Sequence, residues 1–205
     1  MLNDLNGDLV TFYRCVRFHA DTLLTELEFV LNSRQEFKDF ADQPGLTDIQ
    51  RAARWFFRNR NCFRGANLGT FGTSPEGGAA SGSRGARMEA IRLLNIRLDR
   101  VTVENLDWQK CLDLYDRRES FFFLDPPYTS CQAGMYSAWS IADVHRLRSR
   151  LDLLKGKWLL TLNDAPEIRR IFGDCEITAV DRSKGISQAK EKTYREIIIR
   201  PDPKN

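Results

Sequence analysis

The stretch Phe121-Phe122-Phe123-Leu124-Asp125-Pro126-Pro127-Tyr128 constrains this chain more than any other. Four apolar residues in a row, bounded by turn residues, predict a short strand buried on both faces. Asp125 precedes a proline and is pushed towards an extended conformation. Pro126 and Pro127 have fixed φ and no N–H, so a central strand cannot continue through them. A carboxylate, two carbonyls and an aromatic ring are therefore expected in a rigid corner at the carboxyl end of a strand. Open α/β sheets bind their ligands at such ends.

The corner suits a particular chemistry. The exocyclic amine of a nucleobase is a poor nucleophile because its lone pair is delocalised into the ring. An acceptor for each amino hydrogen draws that lone pair out of conjugation. Asp125 offers one acceptor and the Pro126 carbonyl a second, while Tyr128 offers a ring on which a base can stack, at about 1–3 kcal/mol per base. The same residues also fit a plain proline turn with Asp125 as a local cap.

Asp-Pro-Pro-Tyr after an apolar strand resembles the catalytic motif of amino-methyltransferases that use S-adenosylmethionine. The chain as a whole is similar to the Dam-type adenine-specific DNA methyltransferases. This resemblance implies methyl transfer to the 6-amino group of an adenine flipped out of double-stranded DNA, with Asp125, Pro126, Pro127 and Tyr128 as the catalytic corner. It implies an α/β fold: a Rossmann-like methyltransferase sheet, first strand missing, with a helical and irregular target-recognition insertion. The catalytic domain would be 1–45 and 95–205, and the insertion 46–94. Other amine acceptors are cytosine, RNA adenine or a protein glutamine, and Asp rather than Ser or Asn before Pro126 favours adenine. A non-enzymatic alternative is a truncated or split relative that binds DNA without turnover.

The cofactor residues implied by the resemblance are Asp4, Asp107 and Asp125. Asp4 matches the acid at the end of the family's second strand, which receives the ribose hydroxyls. Asp107 matches the acid beside the cofactor's adenine ring. Read without the family, Asp4 and Asp8 are helix-capping acids and Asp107 is the N-cap of a helix from Trp108 to Tyr115. The family's glycine-rich Phe-x-Gly-x-Gly turn does not precede Asp4, which has three residues before it. A missing N-terminal segment or a partner chain is therefore expected to complete the sheet, and the chain alone is expected to hold the cofactor weakly or not at all.

Arg51 to Asn61 predicts a basic, aromatic-rich helix. Asn59 to Gly65 resembles the start of the family's target-recognition region. Ala66 to Arg87 reads as a long loop or weak hairpin. The DNA-binding candidates are Arg58, Asn59, Arg60, Asn61, Arg64, Arg84, Arg182 and Lys184, because arginine braces phosphates or reads guanine edges. A solvated basic helix face is the bland alternative.

Bulk properties exclude little more. The chain has 205 residues, 42% hydrophobic and 29% charged, which suits one domain or a domain with a subdomain. Its net charge of +3 permits a nucleic-acid partner without arguing for one. No membrane span or signal peptide is visible, so a cytoplasmic, bacterial or phage-encoded protein is expected. Five widely spaced cysteines read as free thiols, and two histidines, His19 and His145, as helix-surface residues, with no metal site expected. Helices are predicted from Asn6 or Gly7 with Leu9, Phe12, Tyr13 and Val16 on one face, and from Asp21 through Leu31. Others are predicted around Arg87 to Leu94 and after a Ser140–Asp143 capping box. Strands are predicted at Val101 to Trp108, Lys157 to Asn163, Cys175 to Val180 and Tyr194 to Arg200. Asp164 is expected to cap a helix beginning at Pro166. Tyr136 and Trp139 are candidates for stacking on a base or, equally, for capping the hydrophobic core.

Overall fold

A computed structural model describes residues 1–62, 70–72, 83–129, 139–182 and 194–202. The architecture is mixed α/β, in two units: Met1–Cys111 and Leu112–Asn205.

The first unit is mainly helical. Its helices are α1 (Gly7–Phe18), α2 (Ala20–Glu28), α3 (Arg34–Asp42), α4 (Asp48–Asn61) and α5 (Arg84–Leu98). The side chains of Asn6, Ser33, Thr47 and Ser83 each accept an amide hydrogen of the first turn that follows, satisfying donors the helices of α1, α3, α4 and α5 leave open. The core is built from Phe12, Cys15 and Val16 of α1, Leu23, Leu24 and Leu27 of α2, and Ala52, Ala53 and Phe56 of α4, closed by Ile91 and Leu98 of α5. Two fully buried alanines let α4 approach its neighbours closely. A smaller cluster joins Phe37, Phe57 and Cys62. Strands β1 (Leu2–Asn3) and β2 (Val103–Glu104) pair in parallel, with Leu2 opposite Val103.

Several expectations shift here. Helix α2 starts at Ala20, so Asp21 lies in its first turn rather than at its cap, and Leu31 falls beyond its end at 68% exposure. Helix α3 has only Phe37 and Phe40 as apolar markers, too few to set a period. Helix α5 begins at Arg84 and runs to Leu98, so the end of the expected loop is helical. Its start was hidden because Ser83 is one of three serines, with Ser74 and Ser81, in a glycine-rich stretch. The strand expected over Val101 to Trp108 shrinks to β2. The remainder of the Ala66–Arg87 stretch, apart from residues 70–72 and 83–87, lies outside the described residues, as do Arg64, Cys131, Tyr136 and Lys184. Phe71 forms an isolated antiparallel bridge with Cys62.

Helix α6 (Trp108–Tyr115) leads into the second unit. There β3 (Phe121–Leu124), β4 (Lys157–Asn163), β5 (Glu176–Arg182) and β6 (Tyr194–Arg200) form one sheet in the order β3-β4-β6-β5. Strands β3 and β4 are parallel, and β6 is antiparallel to both its neighbours. Leu160 faces Ile199 and Leu162 faces Ile197, and all four side chains are fully buried. Helix α7 (Ile141–Leu151) buries Val144, Leu147 and Leu151, and its Ser140–Asp143 capping box is formed. Helix α8 (Pro166–Ile171) buries Ile168, and Phe172 beyond it meets Trp158 edge-on at 6.5 Å.

Two expectations for this unit are corrected. Strand β3 is not buried on both faces: Phe122 is 6% exposed, but Phe121 and Phe123 are each 63% exposed. Alternation puts 121 and 123 on the opposite face from 122, and that face is uncovered among the described residues. The cap of α8 is Ala165, not Asp164, whose carboxylate is drawn instead to Arg169 at 2.6 and 2.9 Å. A two-pronged guanidinium outcompetes a helix amide for the same oxygens.

The register of β3 on β4 is set where the strands begin. Asp116 accepts the amides of Lys155 and Gly156, at 2.9 and 3.0 Å, and the Lys157 amide donates to the Ser120 carbonyl at 2.9 Å. A Cβ on Gly156 would lie 2.8 Å from the Ser120 oxygen and 2.9 Å from the Arg117 oxygen. Gly156→Ala must therefore push two backbone segments apart. It is expected to destabilise the second unit by about 1–3 kcal/mol in urea denaturation; unchanged stability would show the approach is not tight. Hydrogen bonds from the Ser140 side chain and backbone, and from Arg146, hold the Asp143 carboxyl down at about 2. Its unfolded value is higher, so the stabilisation exists above that value and disappears as pH falls towards 2. Asp143→Asn should lower the melting temperature at pH 7 and converge with the parent near pH 2.

Candidate active site

The acidic-proline corner lies where β3 ends. Leu124 pairs with Leu160, which puts the next residue of β4, Thr161, against Asp125. The Thr161 hydroxyl lies 2.5 Å from Asp125 Oδ1 and 3.3 Å from the Leu124 carbonyl oxygen, both acceptors of its single proton. Asp125 is exposed, whereas Pro126, Pro127 and Tyr128 are half-buried. One carboxylate oxygen is thus oriented by β4 while the group stays open to solvent. Two residues further along β4, Asn163 Oδ1 accepts from the Thr129 hydroxyl at 3.3 Å, tethering the chain just past Tyr128. The Asp164 amide then donates to the Arg195 carbonyl at 2.9 Å. The hydrogen bond from Arg169 holds the Asp164 carboxyl below its ordinary range.

Thr161 and Asn163 were not singled out from the sequence. Their signal is alternation: Trp158, Leu160 and Leu162 are buried, and the intervening face of β4 turns polar at Thr161 and Asn163. Polar side chains on one face of an apolar strand, beside a motif on the neighbouring strand, mark second-layer support for that motif.

The other two acids belong to the first unit. Asp4 follows β1, and its Oδ1 accepts the Asn6 amide at 2.7 Å, fixing the turn into α1. Asn6, not Asp8, caps that helix. Asp107 Oδ1 accepts the Gln109 amide at 2.9 Å, so Asp107 is the N-terminal cap of α6. The second oxygen of each acid takes no hydrogen bond from a described residue. Two asparagines lace the loops together. Asn3 pairs through both amide atoms with Leu106, at 3.0 and 2.9 Å, and Asn105 donates to the Asp4 carbonyl at 2.8 Å. The result is two carboxylates at the ends of adjacent parallel strands, each oriented through one oxygen. That donor set fits the hydroxyl and amino groups of a nucleoside. Burial, and secondarily the nearby Asp4, raises the Tyr13 phenol above its ordinary value.

The basic candidates separate by environment. Asn59 and Arg60 are exposed in the last turn of α4, and the Arg60 guanidinium lies 5.7 Å over the Phe56 ring. Arg58 is half-buried 5.5 Å over Phe37, and burial pushes its pKa down. Asn61 is fully buried and donates to the Phe57 carbonyl at 2.9 Å. Arg84 opens α5, 3.8 Å from Glu28. Arg182 ends β5, with its side chain outside the description. Arg87, half-buried, is pushed below its ordinary pKa by burial and then by Arg60 and Arg84. Trp139 is half-buried.

The chain belongs to the D12 class N6 adenine-specific DNA methyltransferase family, whose model matches residues 1–186. A DNA N-6-adenine-methyltransferase of Escherichia phage P1 is 32% identical over 77 residues, covering 32% of this chain and 9% of the phage protein. The match thus spans under a tenth of that relative's length. Among the described residues, no helix is long and apolar enough to cross a membrane.

Asn3 holds the loop bearing Asp107 through two bonds. Asn3→Ala is expected to cost about 1–3 kcal/mol in denaturant unfolding and to speed hydrogen exchange at the Leu106 amide. Unchanged exchange there would show that the loop is fixed some other way.

Proposed function

We propose that this chain carries the catalytic and target-recognition parts of an S-adenosylmethionine-dependent DNA methyltransferase, acting on the 6-amino group of an adenine extruded from duplex DNA. The observation that carries this reading is Asp125, exposed and oriented by Thr161 at the end of β3, in a chain of the adenine-specific family.

S-adenosylmethionine, when bound, supplies a methyl group made electrophilic by its sulfonium. The chain's own residues prepare the amine. The Asp125 carboxylate and the Pro126 carbonyl accept the two amino hydrogens, which localises the lone pair on nitrogen. Tyr128 stacks on the base and fixes the direction of that lone pair. Asp125 accepts the proton that the amine sheds. Thr161, as a positioning residue, keeps the carboxylate in register with Pro126. Asp4 meets the ribose hydroxyls and Asp107 the adenine end of the cofactor, through the oxygens that the turns leave over. Asn59 and Arg60, with Arg58, Arg64, Arg84, Arg182 and Lys184, belong to the DNA side, whereas the buried Asn61 holds the end of α4; 46–94 is the recognition insertion within a catalytic domain of 1–45 and 95–205. A cytoplasmic setting in a bacterium or phage fits this substrate.

The finer fold on this reading is a Rossmann-like methyltransferase sheet. The antiparallel β6 between β4 and β5 supports it. So does the edge of β3, which pairs with β4 alone among the described residues. A further strand, from a preceding segment or a partner chain, would pair with that edge and bring the glycine-rich turn the cofactor needs.

The test is transfer of labelled methyl to unmethylated duplex DNA. Asp125→Ala is expected to lower the rate about a hundredfold or more. Thr161→Val should lower it about ten- to a hundredfold, through kcat more than KM. A parental rate in Asp125→Ala would remove the corner from the chemistry. Calorimetry with the cofactor should show weak or no binding to these 205 residues by themselves; tight binding would overturn the need for an added strand.

A further inference from the structure

A cavity of about 210 Å³ opens in the first unit between α1, α4 and α5. It shares no residue with the acidic-proline corner. Phe12, Tyr13, Trp55 and Phe56 give it an aromatic wall, with Ile91 and Leu94 opposite. Phe12 lies stacked on Phe56 at 5.2 Å and tilted against Trp55 at 5.4 Å, so the wall is internally braced. Tyr13 and Trp55 remain only half-buried. Asn59 and Arg60, both exposed, add polar side chains to its lining.

Each property narrows the ligand. The volume lies below the roughly 300–1,000 Å³ of pockets for drug-sized ligands, so the cavity suits one ring system and not a whole cofactor. Aromatic faces suit a flat π-system. An asparagine amide, donor and acceptor side by side, matches the N6/N7 edge of adenine. Arg60 adds a planar cation that matches a phosphate. A small adjoining cleft that shares Phe56 is lined by Arg84, which lies 3.8 Å from Glu28, and by Arg87.

We propose that this cavity is a second nucleotide site, taking one adenine nucleotide with its base against Trp55 and Tyr13 and its phosphate on Arg60. The nucleotide is either free or part of a DNA strand, since both present the same base and phosphate. The site does not depend on methyl transfer.

The test uses the whole chain in an Asp125→Ala background, which removes the proposed target-base corner from the reading. Calorimetric titration with dAMP should saturate, and dTMP should bind more weakly. Ala90 lines the cavity and is exposed, so Ala90→Trp fills it from the rim without disturbing the core. Ala90→Trp and, separately, Arg60→Ala should each weaken dAMP binding about tenfold, with melting temperatures checked to confirm folding. Displacement of dAMP by a duplex with one bulged adenine would assign the site to DNA, and failure to displace it to a free nucleotide; both support the site. No saturable dAMP binding, or binding that Ala90→Trp and Arg60→Ala leave unchanged, would overturn it.

Discussion

Asp125 meets Thr161 because Gly156 lets two backbone segments pass at van der Waals limit. Without a side chain there, the Lys155–Lys157 turn drops against Arg117 and Ser120, and Asp116 ties it down by accepting two of its amides. The first pair of the parallel ladder, Phe121 with Lys157, is thereby fixed, and every later pair follows from it. Slipping this register by one residue would turn every inward side chain of β3 outward. It would also set Asp125 beside an apolar leucine. A carboxylate beside leucine has no donor to orient it, and its desolvation would be uncompensated. The site therefore inherits its geometry from the opposite end of the strand.

The two acids of the first unit are positioned by a different device. Strands β1 and β2 are two residues each, too short to hold anything by ladder bonds alone. Side-chain amides supply what the ladder lacks: Asn3 mimics one more backbone pair by giving and receiving a bond with Leu106, and Asn105 returns one to Asp4. Both acids spend one oxygen on the turn that carries them and keep the other. The capping role and the ligand role expected of Asp107 are thus compatible in the same conformation.

Legibility in the sequence followed the strength of local signals. Strands β4 and β6 and helix α6 match their expected bounds because apolar runs or a capping residue bracket them. The corner itself was legible because proline leaves few alternatives. Thr161 was not, since its role exists only through pairing with a strand 36 residues earlier. Asp164 misled for a related reason. Its position before Pro166 has the form of a cap, but Arg169 sits within reach only once the helix has formed. Asn61 shows the limit of charge and polarity patterns: it lies in a basic stretch, yet packing turns it fully inward. The family resemblance carried the roles of Asp4 and Asp107, which spacing alone leaves as helix caps.

The uncovered face of β3 connects stability with activity. A fully buried phenylalanine contributes about 1.5–3 kcal/mol over an exposed one, and Phe121 and Phe123 forgo much of it at 63% exposure. On the proposed reading, a strand paired with the free edge of β3 also brings the cofactor's glycine-rich turn. Sheet completion and cofactor binding would then be linked, since whatever binds the completed sheet stabilises the completion by mass action. The added strand gains backbone pairing along β3, and its side chains on the same face flank Phe121 and Phe123 as cross-strand neighbours. The strand that presents Asp125 would be held on both edges only when the cofactor site is whole. A methyl acceptor would then meet a fully ordered corner only in the state competent to use it.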